Sequence, residues 1–422
     1  MDQQPAVGPR SATAAIETVF RLESPRVVAA VARIVRDVGI AEELTQDALL
    51  AALERWPREG VPDNPGAWLT ATARHRAVDL VRRRETYARK LAEIGRDLET
   101  TAPAPEPADP EDIDDDLLRL IFTTCHPVLS AEARTALTLR LLGGLTTAEI
   151  ARAFLAPEPT VAQRIVRAKR TLARRNVVFE VPYGPDREAR LGSVLDVVYL
   201  IFNEGYAATA GDDRLRPGLC EDALRLARLL AALMPKEPEA HGLAALLEFQ
   251  SSRTAARTTA DGTPVLLADQ NRRRWNRMLI ARGITALGRA EAEAAGVPGP
   301  YVLQAAIAAC HAHASSYEET DWRAIAALYG LLAARAPSPV VELNRAVAVS
   351  MAEGPEPALR IVDALAAEPA LRDYHLLPNV RGDLLRRLGR TAEAGAEFER
   401  AARLTGNERE RELLLRRAAQ AG

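Results

Sequence analysis

Aromatic side chains make up only 5% of this 422-residue chain, and no stretch alternates apolar and polar residues convincingly, so sheet architectures find little to build on. Cysteine is scarcer still. Cys125, Cys220 and Cys310 are far apart, odd in number and without CxxC spacing, which argues against a disulfide framework and a structural zinc site. No run reaches the roughly 18 apolar residues that a membrane span needs, and residues 1–10 lack the apolar core of an export signal. A cytoplasmic protein without membrane contact is expected. Charge of one sign is missing too: 55 Lys and Arg stand against 57 Asp and Glu, so any surface for nucleic acid must be local. What is abundant is Ala, Leu, Arg and Glu, the composition of helices, and the length calls for two or three domains.

The most informative stretch is residues 130–176. Leu137, Leu141 and Leu142 close one apolar helix face, Gly143 and Gly144 break it, and Thr146 or Thr147 caps a second helix carrying Ile150, Ala151 and Phe154. After Pro157 a third helix restarts at Glu158. It turns Val161, Ile165 and Ala168 inward and leaves Gln163, Arg164, Arg167, Lys169, Arg170, Arg174 and Arg175 facing out. Residues 161–175 hold six Lys or Arg and no acid, in a chain of net charge −2. This pattern predicts a helix-turn-helix with a basic recognition helix, in which Thr160, Gln163 and Arg164 read base edges while Arg167 and Arg170 hold phosphates. The plainer alternative is a solvated charged helix.

Residues 12–56 read as two helices, the second with Leu44, Ala48, Leu49, Ala52 and Leu53 on one side. Its other side shows Glu42, Glu43, Gln46, Asp47 and Glu54, either solvent surface or a docking face for a basic partner. A turn over residues 57–65 precedes a helix begun by Asn64 and Pro65, with Trp68, Leu69, Ala73, Ala77, Leu80 and Val81 toward a core. Arg74, His75, Arg76, Arg82, Arg83, Arg84, Arg89 and Lys90 accumulate beyond them, a mixture suited to strand backbone and unstacked bases. Trp68 is either a core residue or a stacking platform. Residues 100–116, rich in Pro and acid, read as a linker.

In that order, EELTQDALLAAL, NPGAWLTATARHRAVDLVRRR and LTTAEIARAF with PTVAQRIVRAKRTL resemble the second and fourth conserved regions of bacterial RNA polymerase sigma factors. The pair, with a linker of this size, is similar to the extracytoplasmic-function group and covers about residues 10–178. The resemblance implies that Glu43, Gln46 and Asp47 meet core RNA polymerase. It places Asn64, Trp68, Arg74, Arg76 and Asp79, extended by Arg82 and Arg83, on the minus-10 element of promoter DNA. Thr160, Gln163, Arg164 and Arg167 fall in the helix that reads the minus-35 element. Because no long folded segment lies between the two modules, an alternative rather than a housekeeping factor is expected.

Beyond residue 190 the chain continues as amphipathic helices punctuated by Pro and Gly. Near its end Gly382, Gly389, Ala394, Phe398 and Ala401 match the positions where paired helices nest in tetratricopeptide repeats, and residues 344–365 are a looser copy displaced by about 36 positions. The layout resembles a sigma-factor subgroup with a long helical extension, which implies regulation or binding of a protein partner there. Within the extension, Asp269, Arg272, Arg273, Arg274 and Trp275 form a dense polar and aromatic cluster, either a regulatory site or an exposed helix start capped by Asp269 and edged by a packed tryptophan. His311 is one position from Cys310 and two from His313 and shares a face with neither, and no second ligand cluster accompanies them; no metal, cofactor or enzymatic chemistry is expected. Asn203, Glu204 and Tyr206 near a helix end either line a ligand cleft or serve as burial and caps.

The expected fold is thus all-α: a region 2-like domain over 10–95, an acidic linker over 96–114, a region 4-like helix-turn-helix domain over 115–178 and a helical extension over 190–422, with repeats at 339–406. The expected function is an alternative sigma factor regulated by its extension. Two other classes remain: a helix-turn-helix regulator with a tetratricopeptide sensor acting without core polymerase, and a helical scaffold. Residues 42–90 separate the first from the second, since an ordinary repressor has no use for them.

Overall fold

The computed structural model describes residues 9–93, 110–154, 156–208, 217–259, 265–406 and 408–421. Every regular element among them is helical. Two compact units divide after Ile201, inside one helix. Most of the expected 96–114 linker lies outside the described residues, as do residues 261–264 and the side chains of Arg89 and Lys90.

In the first unit, α1 (Pro9–Val35), α2 (Val38–Glu59) and α3 (Pro65–Glu93) pack on one another. The break between the first two falls at Arg36 and Asp37 rather than at Gly39, because Asp37 caps α2: its carboxylate accepts from the backbone N–H of Gly39 at 2.7 Å and of Ile40 at 3.0 Å. Pro57 sits within the last turn of α2, which Gly60 ends at a φ of +88°. The buried stripe of α2 is Ala41, Thr45, Ala48, Ala52 and Trp56, one step round from the expected leucines, and it carries Glu42 with it. α4 (Pro110–Thr124) lies against α1 and begins five residues earlier than expected, so the acidic run up to Asp116 forms helix.

The helix-turn-helix follows as α5 (Ala131–Leu141), α6 (Thr147–Ala153) and α7 (Glu158–Arg174). Thr146 and Glu149 form a reciprocal capping box: the Thr146 N–H donates to Glu149 Oε2 at 2.7 Å and the Glu149 N–H to Thr146 Oγ1 at 3.2 Å. Two glycines are needed before it. Gly144 has φ of +69°, and a Cβ on Gly143 would stand 2.5 Å from the Leu139 carbonyl oxygen. α8 (Pro185–Ala208) buries Leu191, Val194, Leu195 and Val198, and its Ser193 hydroxyl donates to the Cys125 carbonyl at 2.7 Å, within the first unit.

The second unit continues with α9 (Pro217–Leu233) and α10 (Pro238–Ser252), the latter buried along nearly its whole length against α9, α11 (Arg277–Glu293) and α12 (Pro300–His313). Then come α13 (Trp322–Arg335), α14 (Pro339–Ala352), α15 (Pro355–Leu365), α16 (Leu376–Arg387), α17 (Thr391–Leu404) and α18 (Glu408–Ala421), each packed on its predecessor. Tetratricopeptide-like nesting is visible in α14 to α17: Ala346, Ala358 and Val362 are fully buried, as are their counterparts 36 residues on, where Gly382 lies under the Phe398 ring beside Ala394. Gly389 differs from its expected nesting role. It is a turn residue at φ of +75° with open space around it.

Between α10 and α11 the chain is held by a clamp. The Trp275 ring lies 4.9 Å from the Arg272 guanidinium and 5.3 Å from that of Arg253, and buried Arg272 donates to the carbonyls of His311 and Ala314 and to Thr320 Oγ1. His311, edge-on to Trp322, is pushed down to about 4 by burial and then by the charges of Arg253 and Arg272.

Two outcomes follow for stability. Phe398→Ala should cost about 3–5 kcal/mol in urea unfolding, the range for emptying a buried aromatic site. His311 stays neutral in the fold whereas the unfolded chain takes up its proton near pH 6.5, so it draws stability down as pH falls from about 6.5 to about 4, on the order of 3 kcal/mol at the acid end. His311→Gln should flatten that portion of the stability–pH curve.

Candidate nucleic-acid and polymerase interface

The recognition helix is laid out by its period. Val161, Ile165, Ala168 and Leu172 are buried, and Thr160, Gln163, Arg167, Arg170 and Arg174 are exposed. Arg164 is half-buried at the edge of a cleft shared with Ser130 and Glu132 at the start of α5; its charge helps hold the Glu132 carboxyl below its ordinary value, after the Ser130 hydrogen bond and a backbone contribution. Pro157 and Pro159 open α7 without a side-chain cap; Pro159 has no N–H to satisfy, and the Thr160 N–H donates to the Pro157 carbonyl at 3.0 Å. The arrangement presents one contiguous polar and cationic edge.

On α3 the expected residues divide. Asn64 is engaged as the helix cap, its Oδ1 accepting from the Ala67 N–H at 3.0 Å. Trp68 is half-buried and meets Trp56 edge to face, ring centroids 5.4 Å apart, so part of its surface packs within the bundle. Arg74 is half-buried; Arg82 and Arg83 are exposed. Asp79 pairs with His75 at 3.4 Å. Arg76 pairs with Asp47 at 3.6 Å, which joins a residue expected on DNA to one expected on polymerase.

Along α2, Glu43 and Asp47 are exposed and Gln46 is half-buried, facing a cleft of about 400 Å³ whose far wall includes Arg140, Gly144 and Thr146. Glu42 departs from the expected exposed acidic face. It is 6% exposed and shared by two cations, Arg140 of α5, whose Nε donates to Oε1 at 2.6 Å, and Lys169 of α7. Lys169 thereby leaves the outward basic set. Sequence periodicity could not show this pair, because the partners stand 98 and 127 positions away. A second link joins α1 to α4, Arg33 to the buried Asp116 at 3.1 Å. The α1–α3 bundle and the helix-turn-helix are therefore packed together, with the cationic edge of α7 outward.

In the second unit, Arg272 and Trp275 belong to the buried clamp, whereas Asp269, Arg273 and Arg274 are exposed. Asn271, not Asp269, provides the local cap, accepting from the Arg273 N–H. The Tyr206 hydroxyl donates to Gln250 at 2.8 Å and its ring lies under Arg257, so it serves packing. Among the described residues no group of three or more His, Cys, Asp or Glu is placed to hold a metal, and no helix is long and apolar enough to cross a membrane.

Comparison with known proteins gives the same parts. Residues 19–86 match the family model Sigma-70 region 2, residues 119–172 match Sigma-70, region 4, and residues 190–291 match a family of unknown function (DUF6596). An uncharacterized protein of Rhizobium meliloti (strain 1021) is 45% identical over 386 residues, 91% of this chain and 90% of its own length. The crystal structure of yeast Tom70 aligns over 98% of this chain and 84% of its own at 11% identity, with a TM-score of 0.37. The ECF RNA polymerase sigma factor SigK of Mycobacterium sp. (strain KMS) is 32% identical over 144 residues, 33% of this chain and 72% of its own length. At that identity and coverage of the relative, the chain belongs to the ECF RNA polymerase sigma factor family.

Proposed function

We propose that the protein directs core RNA polymerase to a specific set of promoters, with α3 capturing the opened minus-10 element and α7 reading the minus-35 element as duplex, under regulation by the second unit. The observation that carries this is the orientation of α7. Its apolar stripe is spent on α5 and α6, and its cationic edge is free for a major groove. Strand opening needs no bond chemistry here: an edge that holds single strand, with the Trp68 ring and the arginines of α3, lowers the energy of the melted state. Glu43, Gln46 and Asp47 present the acid and amide groups that a basic polymerase surface would meet.

The packed arrangement sets a condition on this function. Elements some 25 base pairs apart are separated by roughly 85 Å along B-form DNA at 3.4 Å per pair. A compact unit of about 200 residues has a radius of gyration near 16 Å. One closed unit therefore spans at most one element at a time, and engagement of both requires α2 to part from α5 and α7, breaking the contacts of Glu42. Docking at Gln46 and Asp47, beside those contacts, supplies free energy for the separation.

Run-off transcription with purified core polymerase on genomic fragments should yield discrete starts that depend on this protein; duplex binding without any such transcript would favour the polymerase-independent regulator instead. Arg164→Ala should relax preference at one base position of the minus-35 element by about 1–3 kcal/mol, whereas uniform weakening across sequences would make it a phosphate contact. Arg140→Gln, away from both reading edges, should ease opening by about 1–2 kcal/mol and raise occupancy of limiting core polymerase roughly 5- to 30-fold. Unchanged occupancy in a competition assay would mean the closed packing does not oppose docking.

A further inference from the structure

Residues 271–289 hold six arginines and no acid, the same one-sided charge as the recognition helix, yet they lie in the second unit, outside both DNA-facing modules. Arg272 is spent on the clamp. Arg282 and Arg289 are exposed on α11, seven positions and so about two turns apart, and they edge a groove of about 400 Å³ whose opposite side is Arg228 of α9. The floor is small and apolar, with Ala231, Ala244 and Ala286, and Met278 stands 64% exposed at the lip. The one acid in the groove, Glu248, is already neutralised: it is buried and held by two bonds from Arg228, at 2.7 and 2.9 Å.

The charge and the floor together select an occupant. With Arg228 and Glu248 neutralising each other, Arg282 and Arg289 leave the groove positive and attract an anionic partner, and an apolar floor with a flexible methionine rewards side chains that leave water. A nucleic-acid backbone gains nothing from alanines, no Phe, Tyr or Trp lines the groove to stack a base, and the one ring there, His241, is buried with its Nε2 at 2.9 Å from the Pro235 carbonyl oxygen. The other flank of α11 makes the contrast plain: the groove there is edged by Glu291, Glu319 and Asp321, so the positive sign is confined to one side.

We infer that the groove between α9, α10 and α11 is a docking site for an acidic amphipathic helix of a protein partner, its leucine-type residues on the alanine floor and its carboxylates on Arg282 and Arg289. The site stands whether or not the proposed promoter reading is right, since its test measures peptide binding alone.

The experiment is fluorescence anisotropy on the full chain with a labelled peptide of about 18 residues built from Glu, Leu and Ala, Leu falling at i, i+3, i+4 and i+7. The acidic peptide should bind, weaken with added salt, and lose about tenfold or more in affinity to the Arg282→Ala/Arg289→Ala variant, both positions being exposed. Met278→Ala should weaken it severalfold and Arg164→Ala should leave it unchanged. No binding, equal binding by the double variant, or equal binding of a peptide with Ser for Leu would overturn the proposal. So would a duplex of about 20 base pairs that displaces the peptide and itself binds through Arg282 and Arg289, which would make the surface one for nucleic acid.

Discussion

A carboxylate taken out of water is expensive unless cations come with it, and removing one partner from such a group costs more than the pair ever contributed. Glu42 is in that position. It sits on the buried side of α2 and is met by Arg140 and Lys169, one from each helix that brackets the helix-turn-helix. The neighbouring link of Arg33 to Asp116 has the same character. Together they give the packing of the two modules an electrostatic register: the helices fit with these charges matched, and sliding one past the other would strand a charge. Ionic contacts of this kind set geometry more than they add stability.

Much of the first unit was legible in the sequence because its signals are local. The glycine pair, the apolar period of α7 and a threonine cap before α6 each lie within a few positions; of the two threonines the sequence offered, Thr146 is the cap, and Glu149 closes it into a box. The errors have a common cause. Placing Gly39 as the break between α1 and α2 overlooked Asp37 as a cap, and placing Glu42 on the solvent face followed from giving the core to leucines, when the closer-packed stripe uses Ala41, Thr45, Ala48 and Ala52. A helix that approaches its neighbours tightly prefers small residues, and hydrophobicity alone does not register that. The Arg76 contact with Asp47 and the Glu42 pairs join residues far apart in the chain, which no local pattern encodes.

Proline in the second unit is easy to misread as a breaker. Pro238, Pro300, Pro339 and Pro355 each stand in the first turn of a helix, where the missing N–H would have lacked a partner anyway. The repeats were visible through the same logic of position: Gly382 was recognisable because no larger residue fits under Phe398, whereas Gly389 was taken for a nesting residue although only its backbone angle required it. The cluster around Trp275 divides along burial, Arg272 and Trp275 inward and Arg273 and Arg274 outward, a division that consecutive residues in a short 3-10 turn do not announce.

The edge-to-face meeting of Trp56 and Trp68 has an optical side. Two indoles with centroids 5.4 Å apart couple their excited states, and the coupling fades steeply as they separate. If Trp68 leaves its neighbour to face an unstacked base, the near-ultraviolet signature of the pair disappears in the same event that melts the strands. The other two of the chain's four tryptophans, Trp275 and Trp322, lie in the second unit and would contribute a steady background. The chain carries its own clock for promoter opening, readable without a dye.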